Sequence, residues 1–164
     1  MLDNFDINTV IQILMFLVIS IQLYFMQKTF RADHERRKKQ ATVEYLNKIR
    51  EQYRTLSNKL IGKFNEDAIN LSKIDDGTRI EIKELLSILE HLSTGVNTEV
   101  YDYDIIKRMS GSYLVNRYKQ LYPYIDNAQK SSRTLYIEFE TLCKRIENDK
   151  RQFHISNDGN MEYS

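Results

Sequence analysis

The sequence contains a single cysteine, Cys143, so no disulfide bond can form within the chain. Small secreted scaffolds usually depend on several disulfide bonds, and this shortage therefore favours a reducing compartment. Proline and glycine are also scarce, with Pro123 alone and five glycines in 164 residues. Because these residues interrupt regular structure, and because Leu, Ile, Lys, Glu and Gln are abundant, we predict an all-α chain.

Charge is unevenly distributed along the chain. The net charge of +1 provides no overall field that would attract nucleic acid or an acidic partner. Residues 7–27 carry no charged side chain, whereas residues 28–39 carry six basic and two acidic ones. The apolar stretch is therefore followed directly by a local positive excess.

Residues 7–26 have about the length that a helix needs to cross a hydrocarbon layer of roughly 30 Å. A cleaved export signal is disfavoured, because acidic rather than basic residues precede the stretch and no small-x-small site follows it. A buried helix of a soluble domain would usually be shorter or carry a polar face. Tyr24 and Phe25 stand near the end of the stretch, where aromatic rings favour the membrane interface. We therefore predict a short external N-terminus and a single transmembrane helix in residues 1–27.

The basic segment, residues 28–40, predicts the orientation of this helix. Basic residues next to a span stay in the cytoplasm, so the N-terminus should be outside and the chain after Lys28 inside. We expect the basic side chains to contact anionic lipid headgroups, at about 1 kcal/mol per charge near the surface. They are Lys28, Arg31, Arg36, Arg37, Lys38 and Lys39. Nucleic acid is not an expected partner, because no aromatic stacking residues are interleaved with these charges.

Uncharged polar side chains interrupt the predicted span at Asn8, Gln12, Ser20 and Gln22. They fall within an arc of roughly 160° of a helix. They could simply be tolerated in the span. Alternatively, Gln12, Ser20 and Gln22 could contact another helix, since amides form hydrogen bonds between helices in lipid. Both interpretations stay open at this point.

Residues 41–150 predict a cytoplasmic helical bundle of about five helices, followed by a polar flexible tail at residues 151–164. The first helix has the a/d spacing of a packed seam, at Thr42, Leu46, Ile49, Tyr53, Leu56 and Leu60. This seam could pack within its own domain or form a coiled coil between two anchored chains. We favour packing within the domain, because the remaining helices need a partner surface.

The helix boundaries are predicted from capping and breaking residues. Asp75-Asp76-Gly77-Thr78 indicates a turn that starts a central helix ending near residues 95–98. Asp102 is expected to cap a short helix through Met109, and Ser110-Gly111-Ser112 to break the chain. Pro123 could kink or shorten the following helix, and Ser131 or Ser132 should cap the last one.

No catalytic motif is present, whether a glycine-rich phosphate loop, GxSxG or HExxH. His34, His91 and His154 lie far apart in the sequence, and no pair has metal-ligand spacing. Cys143 lies beside an apolar stripe and is expected to be a packing residue rather than a nucleophile. We therefore predict no enzymatic activity, no cofactor and no metal site.

Two polar features of the bundle attract attention. Glu90 lies close to the buried face of the central helix, where a carboxylate normally needs a cation, and the candidate partners are Arg108, Arg117 and Arg133. The group could be an internal ion pair that sets helix register or a polar ligand pocket. Tyr101 and Tyr103 flank Asp102, and this loop is the candidate contact surface for a protein partner.

The order of these segments resembles a known family. ERRKKQATVEYL follows the span, and LLSILEHLSTGVNTEVYDYDIIKRMSGSYLVNRYKQLYPYI precedes an arginine and a last aromatic helix. The chain resembles the bacterial membrane-anchored proteins of the domain-of-unknown-function family 4760. The resemblance rests on a basic-Ala-Thr stretch at residues 37–42, on Glu90 and Gly95, and on Asp102 or Asp104. It implies a small single-pass protein of the bacterial inner membrane and supplies no activity.

Three hypotheses about function remain. The first is a membrane-anchored interaction or regulatory module that recruits a cytoplasmic protein. The second is a membrane-acting effector that associates with further copies of the chain through the polar face of its span. An enzyme at the membrane surface is the least supported, because no motif indicates a reaction.

Overall fold

The computed structural model describes residues 7–65 and 67–159, with side chains as far as residue 149. In these ranges the regular elements are all helical. They are α1 (Ile7–Phe64), a 3₁₀ turn (Leu71–Lys73), α2 (Asp76–Asn97), α3 (Tyr103–Gln129) and α4 (Ile137–Gly159). The all-α prediction is confirmed. The contacts of the chain divide it into two units, residues 1–37 and 38–164.

In the first unit, residues 7–37 are helical and their side chains are exposed. Apolar side chains predominate as far as Phe30. A helix satisfies its backbone hydrogen bonds internally. A hydrocarbon layer could therefore surround this stretch and bury its apolar side chains without leaving backbone groups unpaired. By length and hydropathy, the N-terminal part of α1 can cross a membrane.

The second unit has one apolar core, with α2 at its centre as predicted. α2 buries Ile82, Leu85, Leu86, Ile88, Leu89, Leu92 and Val96. α4 packs against both α2 and α3. From α1, Leu56 and Leu60 are buried, while Leu46, Ile49 and Tyr53 are half-buried against the same core. The seam on α1 therefore packs within the chain.

The prediction of about five helices in the bundle is wrong, because α3 continues through Ser110-Gly111-Ser112. A Cβ atom on Gly111 would lie 3.2 Å from Cγ2 of Ile146 in α4. Glycine at this position allows α3 and α4 to approach closely, and it does not break the helix. Pro123 also lies inside α3, which ends only at Gln129.

The predicted caps had mixed outcomes. Asp75 caps α2 and Asp102 caps α3, each accepting a backbone N–H three residues later. The last helix begins at Ile137, so the prediction of a cap at Ser131 or Ser132 is wrong. Tyr136, with φ of 59°, directly precedes it. α4 extends to Gly159, beyond the bundle boundary predicted at residue 150, and residues 160–164 lie outside the described part.

Candidate functional site

The predicted lipid-facing side chains lie on the surface of α1. Lys28, Arg31, Arg36, Arg37 and Lys39 are exposed and Lys38 is half-exposed. Arg37 donates to Asp33 at 2.8 Å, one helical turn away. The other basic side chains of this segment are exposed or half-exposed, so an anionic lipid surface could contact them.

The polar residues of the predicted span are exposed too. The Ser20 hydroxyl donates to the carbonyl of Phe16 at 2.8 Å, so its hydrogen-bonding capacity is partly used within the helix. The side chains of Gln12 and Gln22 are exposed, and an amide can both donate and accept hydrogen bonds. These two side chains are the stronger candidates for contact with another helix.

Glu90 and the three candidate arginines do not form a cluster. The Glu90 carboxylate accepts the backbone N–H groups of Glu138 (3.2 Å) and Phe139 (2.9 Å), at the first turn of α4. Arg108 and Arg133 are exposed, and Arg117 is buried with other partners. The N-terminus of α4 therefore stands where we expected a cation, because its free N–H groups and its positive dipole end satisfy a carboxylate.

The Tyr101 and Tyr103 side chains are occupied within the bundle. The Tyr101 ring stacks on Tyr45 with 4.8 Å between centroids. The Tyr103 hydroxyl donates to Asp149 at 2.7 Å, and the Arg145 guanidinium lies 3.7 Å from the centroid of its ring. Burial and the Asp149 carboxylate raise the pKa of Tyr103. These contacts hold the loop against α1 and α4, and the two rings are half-buried.

A cleft lies between α1, α2 and α3 in the described part of the bundle. It has a volume of about 270 Å³. Its apolar wall consists of Leu46, Ile49, Leu89, Leu92, Met109 and Leu114, and its remaining lining residues are Arg50, Tyr53, Arg54, Ser110 and Tyr113. Apolar walls with a few polar groups are typical of sites for small molecules.

A polar network stands beside the cleft. The hydroxyls of Tyr113 and Ser57 share a hydrogen bond of 2.7 Å, and Arg117 donates to Tyr113 at 3.0 Å. Arg117 also donates to Gln120, which in turn donates to the carbonyl of Asn65 at 2.8 Å. The network connects α3 to α1 through hydrogen bonds that are buried or part-buried.

Tyr53 and Tyr113 differ in their environments although their rings are in edge contact, 5.7 Å apart. Burial and the neighbouring Tyr113 raise the pKa of Tyr53, whose hydroxyl is buried without a hydrogen-bond partner. Burial alone would raise the pKa of Tyr113 as well. Its hydrogen bonds with Ser57 and Arg117, and the charge of Arg117, lower that pKa instead.

This difference predicts opposite responses to loss of the two hydroxyls. Tyr113→Phe should lower the free energy of unfolding by about 1 to 2 kcal/mol, because the buried Ser57 and Arg117 side chains lose a hydrogen-bond partner. Tyr53→Phe should be neutral or slightly stabilising, because it removes a buried hydroxyl that has no partner. Urea unfolding of the full chain in mild detergent, followed by circular dichroism, measures both. Equal losses of unfolding free energy in the two variants would contradict the different roles given to the two hydroxyls.

No group of three His, Cys, Asp or Glu side chains that could hold a metal occurs among the described residues. His34 and His91 are exposed, and the side chain of His154 lies outside the described part. Cys143 is buried, and burial followed by the charge of Glu147 raises the pKa of its thiol. A thiol held protonated in a core is a poor nucleophile.

The comparison with known families agrees with the resemblance noted in the sequence. A family model described as a domain of unknown function, DUF4760, matches residues 5–146. The chain belongs to DUF4760. No curated protein and no solved structure matches it.

The DUF4760 residues that carried the resemblance make tertiary contacts. Thr42 is buried, and its hydroxyl accepts the backbone N–H of Asp102 at 2.7 Å. A Cβ atom on Gly95 would overlap the ring of Tyr101. Together with Glu90 of α2, which accepts two N–H groups at the start of α4, these residues join the elements of the bundle to one another. The resemblance singled out these residues by type and position. It could not identify their partners, because those of Thr42 and Glu90 lie 60 and 48 residues away along the chain.

Proposed function

We propose that the chain is a single-pass, membrane-anchored interaction or regulatory module at the cytoplasmic face of the bacterial inner membrane. The supporting observation is the exposure of every side chain in residues 7–26, most of them apolar. Burial of apolar surface stabilises by about 25 cal/mol per Å², and a hydrocarbon layer would bury all of these side chains. The basic segment that follows favours a cytoplasmic bundle.

The bundle supports an interaction role in two ways. Its core draws side chains from all four helices, so the second unit can present a fixed surface to a partner. That surface includes exposed apolar side chains on α3, among them Met109, Tyr113 and Tyr122. Aromatic residues and methionine are enriched at protein interfaces, and these side chains suit an unidentified cytoplasmic partner.

The orientation is tested by labelling from one side of the membrane. In a Cys143→Ser background, Asn4→Cys and the exposed Asn127→Cys each supply one reactive thiol. In intact spheroplasts, a membrane-impermeant maleimide should label Asn4→Cys and should leave Asn127→Cys unlabelled until the membrane is permeabilised. The background variant without added cysteine is the control. Labelling of Asn127→Cys in intact spheroplasts would show that the orientation is the opposite of the proposed one. Recovery of the chain in the soluble fraction would contradict the proposed membrane anchor.

The membrane-acting effector remains a second candidate, because Gln12 and Gln22 are exposed within the apolar stretch. Purification in mild detergent separates the two functions. A second protein in stoichiometric amount supports the interaction module. A homo-oligomer that Gln12→Leu with Gln22→Leu dissociates supports the effector.

A further inference from the structure

The cleft between α1, α2 and α3 has the size of a small-molecule site. An apolar cavity of about 150 Å³ can hold one benzene molecule, and this cleft measures about 270 Å³. It therefore suits one aliphatic chain of about eight carbons.

The polar part of the cleft has one sign of charge. Arg50 and Arg54 line it from α1, one helical turn apart, and the lining includes no carboxylate. Like charges at this spacing repel each other, unless an anion lies between them. Neither arginine forms an ion pair with a residue that the structure describes, in contrast to Lys59 and Lys63 further along α1, which both pair with Glu81.

We propose that this cleft binds one medium-chain carboxylate, with its chain against the apolar wall and its head between Arg50 and Arg54. Guanidinium groups form charge-assisted, often bidentate hydrogen bonds with carboxylates. A phospholipid with two long chains exceeds the volume of the cleft. This site goes beyond the proposed function and holds for either orientation of the bundle.

The test uses octanoate and the full chain in nanodiscs of zwitterionic lipid, with ¹³C at the methionine methyl groups. Met109 lines the cleft, so its methyl resonance, assigned with Met109→Leu, reports occupancy. We expect a saturable shift with octanoate. Arg50→Gln with Arg54→Gln should weaken binding by about tenfold or more. Lys48→Gln with Arg133→Gln removes the same charge at exposed positions outside the cleft, and should change affinity by less than about twofold.

Two further arms separate chain from charge. Ser110→Leu introduces a larger side chain on the wall of the cleft and should abolish the shift while both arginines remain. Octanol, which has the same chain without the charge, should bind much more weakly than octanoate.

The proposal is overturned if the Met109 resonance does not saturate, if octanol binds as tightly as octanoate, or if the two charge variants lose equal affinity. A shift produced by anionic phospholipid nanodiscs without octanoate would also overturn it, in favour of a membrane lipid. Thermal melts of each variant confirm that the bundle stays folded. None of these outcomes depends on the labelling experiment, so failure of this site and failure of the proposed function are distinguishable.

Discussion

Gly95→Ala is expected to lower the free energy of unfolding of the bundle by about 3 kcal/mol, because the new methyl group would overlap the ring of Tyr101. The ring cannot easily move aside. It is stacked on Tyr45, and the backbone N–H of Tyr101 donates to the carbonyl of Gly95 at 2.8 Å. The turn that brings Tyr101 back includes Glu99 with φ of 62°, so its backbone has little freedom to adjust.

Gly62→Ala is the matched control, since a Cβ atom there would meet nothing within 4 Å. This exposed position in α1 should gain up to about 1 kcal/mol from helix propensity. Tyr101→Ala gives a second check. With the ring removed, adding Gly95→Ala should cost nothing further, although Tyr101→Ala is itself destabilising. Urea unfolding of the four variants measures this coupling, and a Gly95→Ala variant as stable as Gly62→Ala would show that the close contact is unimportant.

Glu90→Ala is expected to cost about 2 kcal/mol, because two backbone N–H groups at the start of α4 lose their acceptor. Glu90→Gln retains an acceptor oxygen and should cost roughly half as much, the remainder reflecting the lost charge at a helix N-terminus. The site-specific measurement is hydrogen exchange at the amides of Glu138 and Phe139, which should accelerate in both variants.

Glu84→Ala, at an exposed position of the same helix, controls for the loss of a carboxylate. Because Arg117 bonds to Tyr113 and Gln120 instead, the effects of Glu90→Ala and Arg117→Ala should add. Unchanged exchange at Phe139 in Glu90→Ala would contradict the capping role. Strong coupling with Arg117 would restore the ion pair that we expected from the sequence.

The local features of this fold were predictable because their causes lie within a few residues. Asp75 and Asp102 begin α2 and α3 by accepting an N–H three residues away. The apolar stripe of α2 follows from helical periodicity, and the absence of charge from residues 7–27 predicts a segment that can cross a membrane. Each feature follows from side chains that act on their own helix or on the solvent around it.

Glycine and the start of the last helix show where local rules fail. Gly111 between two serines is typical of a break, yet it lies in the middle of α3. The absence of a side chain there leaves room for Ile146 of α4. The start of α4 has Tyr136 at positive φ, and its acceptor is Glu90, 48 residues from Glu138 along the chain. A local rule cannot supply a cap from so far away.

The sequence by itself determined the helical class, the apolar segment, the basic residues that follow it and the central position of α2. The reason is that composition and periodicity act locally. Only the tertiary structure decided which groups face each other: the α4 N-terminus at Glu90, the Tyr101 ring at Gly95, and the arginines beside an apolar cleft. The first and the third depend on how helices distant in sequence pack, and the Tyr101 ring is held beside Gly95 by stacking on Tyr45 of α1. Close packing of side chains selects partners that spacing along one helix does not encode.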